Sequence, residues 1–140
     1  MSDEICAEGL EYILETAFSE SQSVPANFYI GLCEDASVAE DAALADLTEL
    51  SGNNYARVAV PSGSHVGFTS ESVGTNDRKV TTVTVTFTAS GGAWNGAIHC
   101  FLATTVDDSG KLIAASALSA TRTLQDGDSL EVSMVITLTG

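Results

Sequence analysis

Basic residues are scarce in this chain: five Lys and Arg stand against 19 Asp and Glu, for a formal net charge of −14 at pH 7. Proteins that grip DNA or RNA do so largely by neutralising phosphates with Lys and Arg, so direct nucleic-acid binding is not expected. There are two histidines, His65 and His99, and three widely separated cysteines, Cys6, Cys33 and Cys100. No C-x-x-C or histidine pair accompanies them, so the spacing of a zinc site is missing. The acidic start, MSDEICAEGL, lacks the basic region of an export signal, and the odd cysteine count reads as reduced, buried, structural thiols. Cys33 and Cys100 fall in strand-like runs and are expected as neighbours in space rather than as a disulfide. No apolar run approaches the roughly 20 residues of a membrane span, so no membrane partner is expected. Catalytic signatures are missing too: there is no G-x-S-x-G, H-E-x-x-H, P-loop or dinucleotide glycine pattern. The expectation is a non-enzyme with no catalytic residues, no cofactor and no metal. Asp107-Asp108 and Asp126-x-Asp128 offer carboxylates to a hard cation, but neither carries the EF-hand pattern and both read as hairpin turns.

What is present is apolar residues in a regular order. With 140 residues, 44% of them hydrophobic, the chain is long enough for one domain with a real core. The expected organisation is a single domain over residues 1–140, with an N-terminal helical segment, 1–20, and a β-sandwich over 27–140. Charge divides along the same line: every charged residue before Arg57 is an acid, and the bases Arg57, Arg78, Lys79, Lys111 and Arg122 all follow. Leu10, Ile13, Leu14, Ala17 and Phe18 recur at the three-and-four spacing of a helical stripe, while Glu8, Glu11 and Glu15 fall off it. This predicts an amphipathic helix over residues 3–18, with Ser2 as cap and Asp3 and Glu4 at the positive end of its dipole. Such a stripe usually covers its own domain's core; the sharper alternative is that it docks on a neighbouring subunit, which makes Leu10 and Phe18 interface candidates.

The body reads as short strands joined by turns. NFYIGLC, residues 27–33, places Phe28, Ile30 and Leu32 on one face and Tyr29, Gly31 and Cys33 on the other. EDASVAEDAALADLTEL follows, with a Ser37-x-x-Glu40 capping box and a thin apolar face, and is expected as a short helix or ordered loop. In VTTVTVTFT, residues 80–88, alternation puts Val83, Val85 and Phe87 inward and the threonines outward. WNGAIHCFLATT carries Trp94, Ile98, Cys100 and Leu102 in phase, with His99 on the outer face, and KLIAASALS follows the turn at Asp107-Gly110. After Gln125-Asp128, the run SLEVSMVITLT aligns Leu130, Val132, Met134, Ile136 and Leu138. The pattern predicts a mainly β fold, an antiparallel β-sandwich of jelly-roll type with one N-terminal helix.

Arg57 lies in ELSGNNYARVAVP, where a Ser51-Gly52-Asn53-Asn54 turn leads into a run closed by Pro61. Alternation puts Val58 and Val60 in the core and sends Tyr55, Arg57 and Ala59 outward. An outward Arg–Tyr pair on an acidic protein is either a surface strut to a local carboxylate, the favoured reading, or an anchor at a subunit interface. Tyr55 and Arg57 are therefore the second pair of interface candidates.

Taken in order, NFYIGLC, ADLTELSGNNYARVAV, VTVTFTASGGAWNGAIHCFLATT and GKLIAASALSATRTLQDGDSLEV resemble a group of small tailed-bacteriophage virion proteins, in which a strand ending in Gly-Leu precedes a Ser-Gly-x-x-Tyr-Ala-Arg segment. The resemblance covers nearly the whole chain from residue 8. Gly52, Tyr55, Ala56 and Arg57 form its signature, with Gly127 and Asp128 in the last hairpin. It implies a non-enzymatic structural protein of the phage particle: a capsid decoration or cement protein stabilising the outer head surface, or a tail, neck or fibre component. The implied partner is the major capsid protein lattice, on the capsid exterior of a virion built in the host cytoplasm. Association with further copies of the chain, as a homotrimer, is expected because a short domain gains binding strength when several copies engage a repeating lattice at once. A carbohydrate-binding sandwich for surface attachment is the alternative of a different class, with Trp94, Tyr55 and Tyr29 as its stacking candidates.

Overall fold

The computed structural model describes residues 4–63 and 66–139. Along the chain it forms β1 (Glu4–Ile5), α1 (Ala7–Leu14) running into a wider π-type turn (Glu15–Ser19), β2 (Asn27–Cys33), a 3₁₀ turn (Leu44–Asp46), β3 (Val58–Pro61), β4 (Phe68–Ser72), β5 (Arg78–Thr82), β6 (Val85–Thr88), β7 (Ala97–Ala103), β8 (Leu112–Arg122), β9 (Ser129–Val132) and β10 (Val135–Leu138). All pairings are antiparallel, and a five-stranded sheet in the order β1-β8-β7-β2-β3 forms one layer of the sandwich.

The opposing layer is one long ribbon with a defect in it. Val85 lies opposite Val132, but Thr81 lies opposite Val135, so residues 82–84 on one side face 133–134 on the other. The extra residue is a bulge, which splits the ribbon into the pair β6-β9 and the sheet β10-β5-β4. It also corrects the alternation expected from the sequence: Thr82 is buried, and Val83 is turned out, 43% exposed. The buried threonine is tolerated because its hydroxyl accepts the Met134 N–H at 2.9 Å.

Ile30, Leu32, Cys100 and Leu102 from the large sheet meet Val85, Phe87, Val132, Met134 and Ile136 from the ribbon in the main core. Leu138, expected on the same face, is exposed at the ribbon's end. The large sheet is buried on its other face as well, where Cys33, Phe101, Ala103 and Leu112 pack under Leu44 of the loop after β2. That loop is ordered by a turn whose Asp46 Oδ2 accepts the Ala43 N–H at 2.9 Å, and not by a Ser37 box. Phe101 packs where a side chain at position 31 would sit, which is why β2 carries Gly31 there. Cys33 and Cys100 lie on neighbouring strands, with Leu32 opposite Cys100 and Cys33 opposite His99. Their thiols therefore point to opposite faces, and all three cysteines are buried.

The helix departs most from expectation. It starts at Ala7 with Cys6 as its cap, because the preceding residues extend instead as β1 against β8; Ser2, Asp3 and His65 lie outside the described residues. Its buried face is Gly9 and Tyr12, not the leucines. Gly9 presses on the backbone of Ile113, so closely that a Cβ would collide with the Ile113 carbonyl. Tyr12 donates its hydroxyl to the Ser23 carbonyl at 2.6 Å and sets its ring edge-on to Phe28. Anchored at its smallest residue, the helix is rotated so that Leu10, Leu14 and Phe18 face solvent.

Candidate functional site

The segment carrying Arg57 begins with a turn that only certain residues adopt. Gly52, Asn53 and Asn54 have φ of 78°, 49° and 71°, in the left-handed region that glycine and asparagine tolerate best. The turn docks on the 90–94 turn: Asn53 Nδ2 donates to the Ala93 carbonyl at 2.7 Å, and the Asn53 carbonyl accepts the Trp94 Nε1–H at 2.8 Å. Arg57 lies on the face opposite Val58 and Val60, as alternation expects, but that face is covered and its guanidinium is buried over Phe101; Tyr55 instead turns its ring into the main core against Phe87. This corrects the outward placement expected for the pair.

Arg57 has only 3% of its side chain exposed. Its Nε donates to Glu49 Oε2 at 2.9 Å and its Nη2 to Glu49 Oε1 at 2.8 Å, a bidentate fork on one carboxylate. The second Nη2 donor goes to Asp108 Oδ1 at 2.6 Å, and Nη1 donates to the carbonyls of Thr105 at 3.0 Å and Asp107 at 2.6 Å. Every guanidinium N–H is thereby used, and the group lies 5.1 Å from the centre of the Phe101 ring. Burial works against the charge, but the hydrogen bonds to Glu49 and Asp108 outweigh it and hold the guanidinium more firmly protonated than usual. Tyr55 completes the node by donating to Glu49 Oε2 at 2.6 Å while accepting the Leu32 N–H at 2.9 Å. Burial first, and the Glu49 hydrogen bond second, push its phenol well above the ordinary range.

The Tyr55 ring stacks parallel on Phe87, and Trp94 sets its ring edge-on to both. Trp94 is 4% exposed, so it offers a sugar no free face; Tyr55 and Tyr29 are half-buried, and one face of the Tyr55 ring is taken by Phe87. The turn carboxylates are engaged locally. Asp107 Oδ1 accepts from Ser109, which holds its carboxyl below the usual range; Asp126 accepts the Gly91 N–H and Asp128 the Gln125 N–H. Among the described residues no cluster of His, Cys, Asp or Glu is arranged to hold a metal ion. His99 sets its Nδ1 2.8 Å from the Asp35 carbonyl.

The four candidates thus divide into two places. Tyr55 and Arg57 form an interior node with Glu49, while Leu10 lies on the open face of α1 and Phe18 in the π-type turn that continues it, 46% and 81% exposed. Glu49 was within reach of sequence reasoning, as the carboxylate just before the Ser51 turn. Asp108 was not, since it lies 51 residues from Arg57 in an ordinary hairpin turn.

A family model described as podophage GP4 fiber I protein gp80 matches residues 9–137. No curated protein matches the chain significantly.

Proposed function

Since the chain belongs to the podophage GP4 fiber I protein gp80 family, one of phage virion structural proteins, we propose that it is a non-enzymatic building block of a virion fibre. The family match carries this reading. The geometry supports it in two ways. The chemistry-bearing side chains that come together are engaged with one another: Arg57 donates to Glu49, Asp108 and two loop carbonyls and Tyr55 donates to Glu49, which ties separate segments of the fold together. The sandwich is also buried on both faces of its main sheet, which makes it a stiff block. The test is quantitative mass spectrometry of purified particles with immunogold labelling. The fibre reading expects a copy number that is a small multiple of the tail's symmetry and label at the appendages. Copies in proportion to the shell subunits, spread over the head, would instead identify a capsid decoration protein.

A further inference from the structure

Helix α1 shows to solvent what an amphipathic helix normally hides. Leu10, Leu14 and, in the π-type turn that continues the helix, Phe18 are 46%, 57% and 81% exposed and follow one another at four-residue steps, so they line one edge of the helical segment. Removing such side chains from water is favourable, and aligned apolar groups of this kind mark contact surfaces.

The same molecule carries a matching concavity. Between α1 and the β10-β5-β4 sheet lies an apolar groove of about 300 Å³, with Leu102 and Ile113 at its floor and Ile13, Phe28, Phe68 and Leu138 as its walls. Arg78 and Lys79 stand at its edge. A cavity of roughly 150 Å³ holds a benzene ring, so there is room for a phenyl ring with a leucine beside it.

Charge decides between the two ways of covering the helix. Glu8 is turned to Lys111 at 3.6 Å, but the segment also carries Glu11, Glu15 and Glu20 and no base of its own, so pairing two such helices would press carboxylates together. The groove presents the opposite sign. Lys79 already pairs with Glu71 at 2.9 Å, whereas Arg78 donates to the carbonyls of Gly74 and Asp77, which leaves its charge available. We propose that the Leu10–Leu14–Phe18 edge of one copy docks into the groove of a second copy, with Glu11 and Glu15 facing Arg78. The contact joins two different surfaces, so it repeats head to tail and closes a ring or grows a filament. It is a property of the chain itself and holds wherever in the particle the protein sits.

Sedimentation velocity of the full chain over a range of concentrations tests this. The wild type is expected to self-associate, and Phe18→Asp and Leu138→Asp, at exposed positions, to be monomers with unchanged circular dichroism. Mixed one to one, the two variants should form a dimer and stop there, because one keeps the groove and the other the helix edge. Arg78→Glu, which leaves the apolar contact alone, should weaken wild-type association about tenfold. A wild type that stays monomeric overturns the proposal. So does association that Phe18→Asp abolishes and the groove variants leave intact, since the helices would then be pairing with each other.

Discussion

Replacing Arg57 by methionine keeps an apolar stem of similar reach and removes the charge with all its donors. The cost follows from what stays behind. Glu49 has 23% of its side chain exposed, so it cannot recover full hydration, and removing one partner of a buried ion pair costs about 3–5 kcal/mol. Two features move the value toward the lower end: Tyr55 still donates to Glu49 at 2.6 Å, and the Thr105 and Asp107 carbonyls lie in a loop that water reaches. Asp108, 61% exposed, contributes little through its charge. Loss of the cation beside Phe101 adds about 0.5–1 kcal/mol. The expected loss is about 3–4 kcal/mol, or roughly 10 °C in Tm for a domain of this size. Urea unfolding followed by the fluorescence of the single tryptophan measures it, with an unchanged m-value marking a pure stability effect. Arg57→Lys should fall between the two, keeping the charge but not the fork. The double variant Arg57→Met with Glu49→Leu should be more stable than Arg57→Met alone, because the stranded carboxylate is gone. An Arg57→Met protein within about 0.5 kcal/mol of wild type would refute the argument.

Alanine usually stabilises a helix interior over glycine by about 1 kcal/mol, but Gly9→Ala should destabilise by about 1–3 kcal/mol because its Cβ meets the Ile113 carbonyl; a stabilised variant in the same urea assay would show that α1 does not press on β8. Trp94→Ala should cost about 3–5 kcal/mol, and wild-type emission should be blue-shifted and unmoved by added sugars; saturable quenching by a glycan would contradict the buried ring. Alkaline pH should weaken the fold. Cys33, pushed up from 9.0 to about 12 chiefly by burial, and Tyr55, raised from 10.0 chiefly by burial, both hold their protons more tightly folded than unfolded. Their contribution is complete below those unfolded values and is lost as pH rises through the folded ones, so the urea midpoint should stay level to about pH 9 and then fall. A level midpoint through about pH 12 would refute it, and Cys33→Ala should flatten the first part of the decline.

The strands were legible wherever a local pattern set them. NFYIGLC shows its two faces in its own alternation, and the turns at 107–110 and 125–128 announce themselves in Asp and Gly. What the sequence concealed was decided by distant contacts. The phase of residues 82–84 depends on 133–134 across the ribbon, where a bulge exchanges Thr82 for Val83 in the core. The rotation of α1 depends on Ile113, against which glycine allows a closer approach than leucine would. Leu10 and Phe18 were thus identifiable as an apolar pair, but periodicity alone placed them with the stripe that covers the core. Tyr55 and Arg57 were misdirected for a related reason: alternation placed Arg57 on the face away from the valines but could not show that this face is covered, and Tyr55, before the first residue of β3, turns to Phe87 instead.

Once those corrections are made, stability and assembly separate onto different residues. The stretch from Gly52 to Arg57 ties three parts of the molecule together: Tyr55 bonds the Leu32 amide on the large sheet and stacks on Phe87 of the ribbon, while Arg57 reaches the 105–108 hairpin loop. With every donor spent at home, Arg57 has none to offer a partner. Phe18 is in the opposite position, 81% exposed in the π-type turn after α1. A substitution at Arg57 that still folds should therefore lower the melting temperature and leave the association constant as it was. Phe18→Asp should leave the melting temperature of the dilute monomer unchanged and abolish association. Measuring both quantities on both variants at one temperature tests the separation, and an Arg57 variant that keeps its fold but loses self-association would show that the node reaches the contact surface after all.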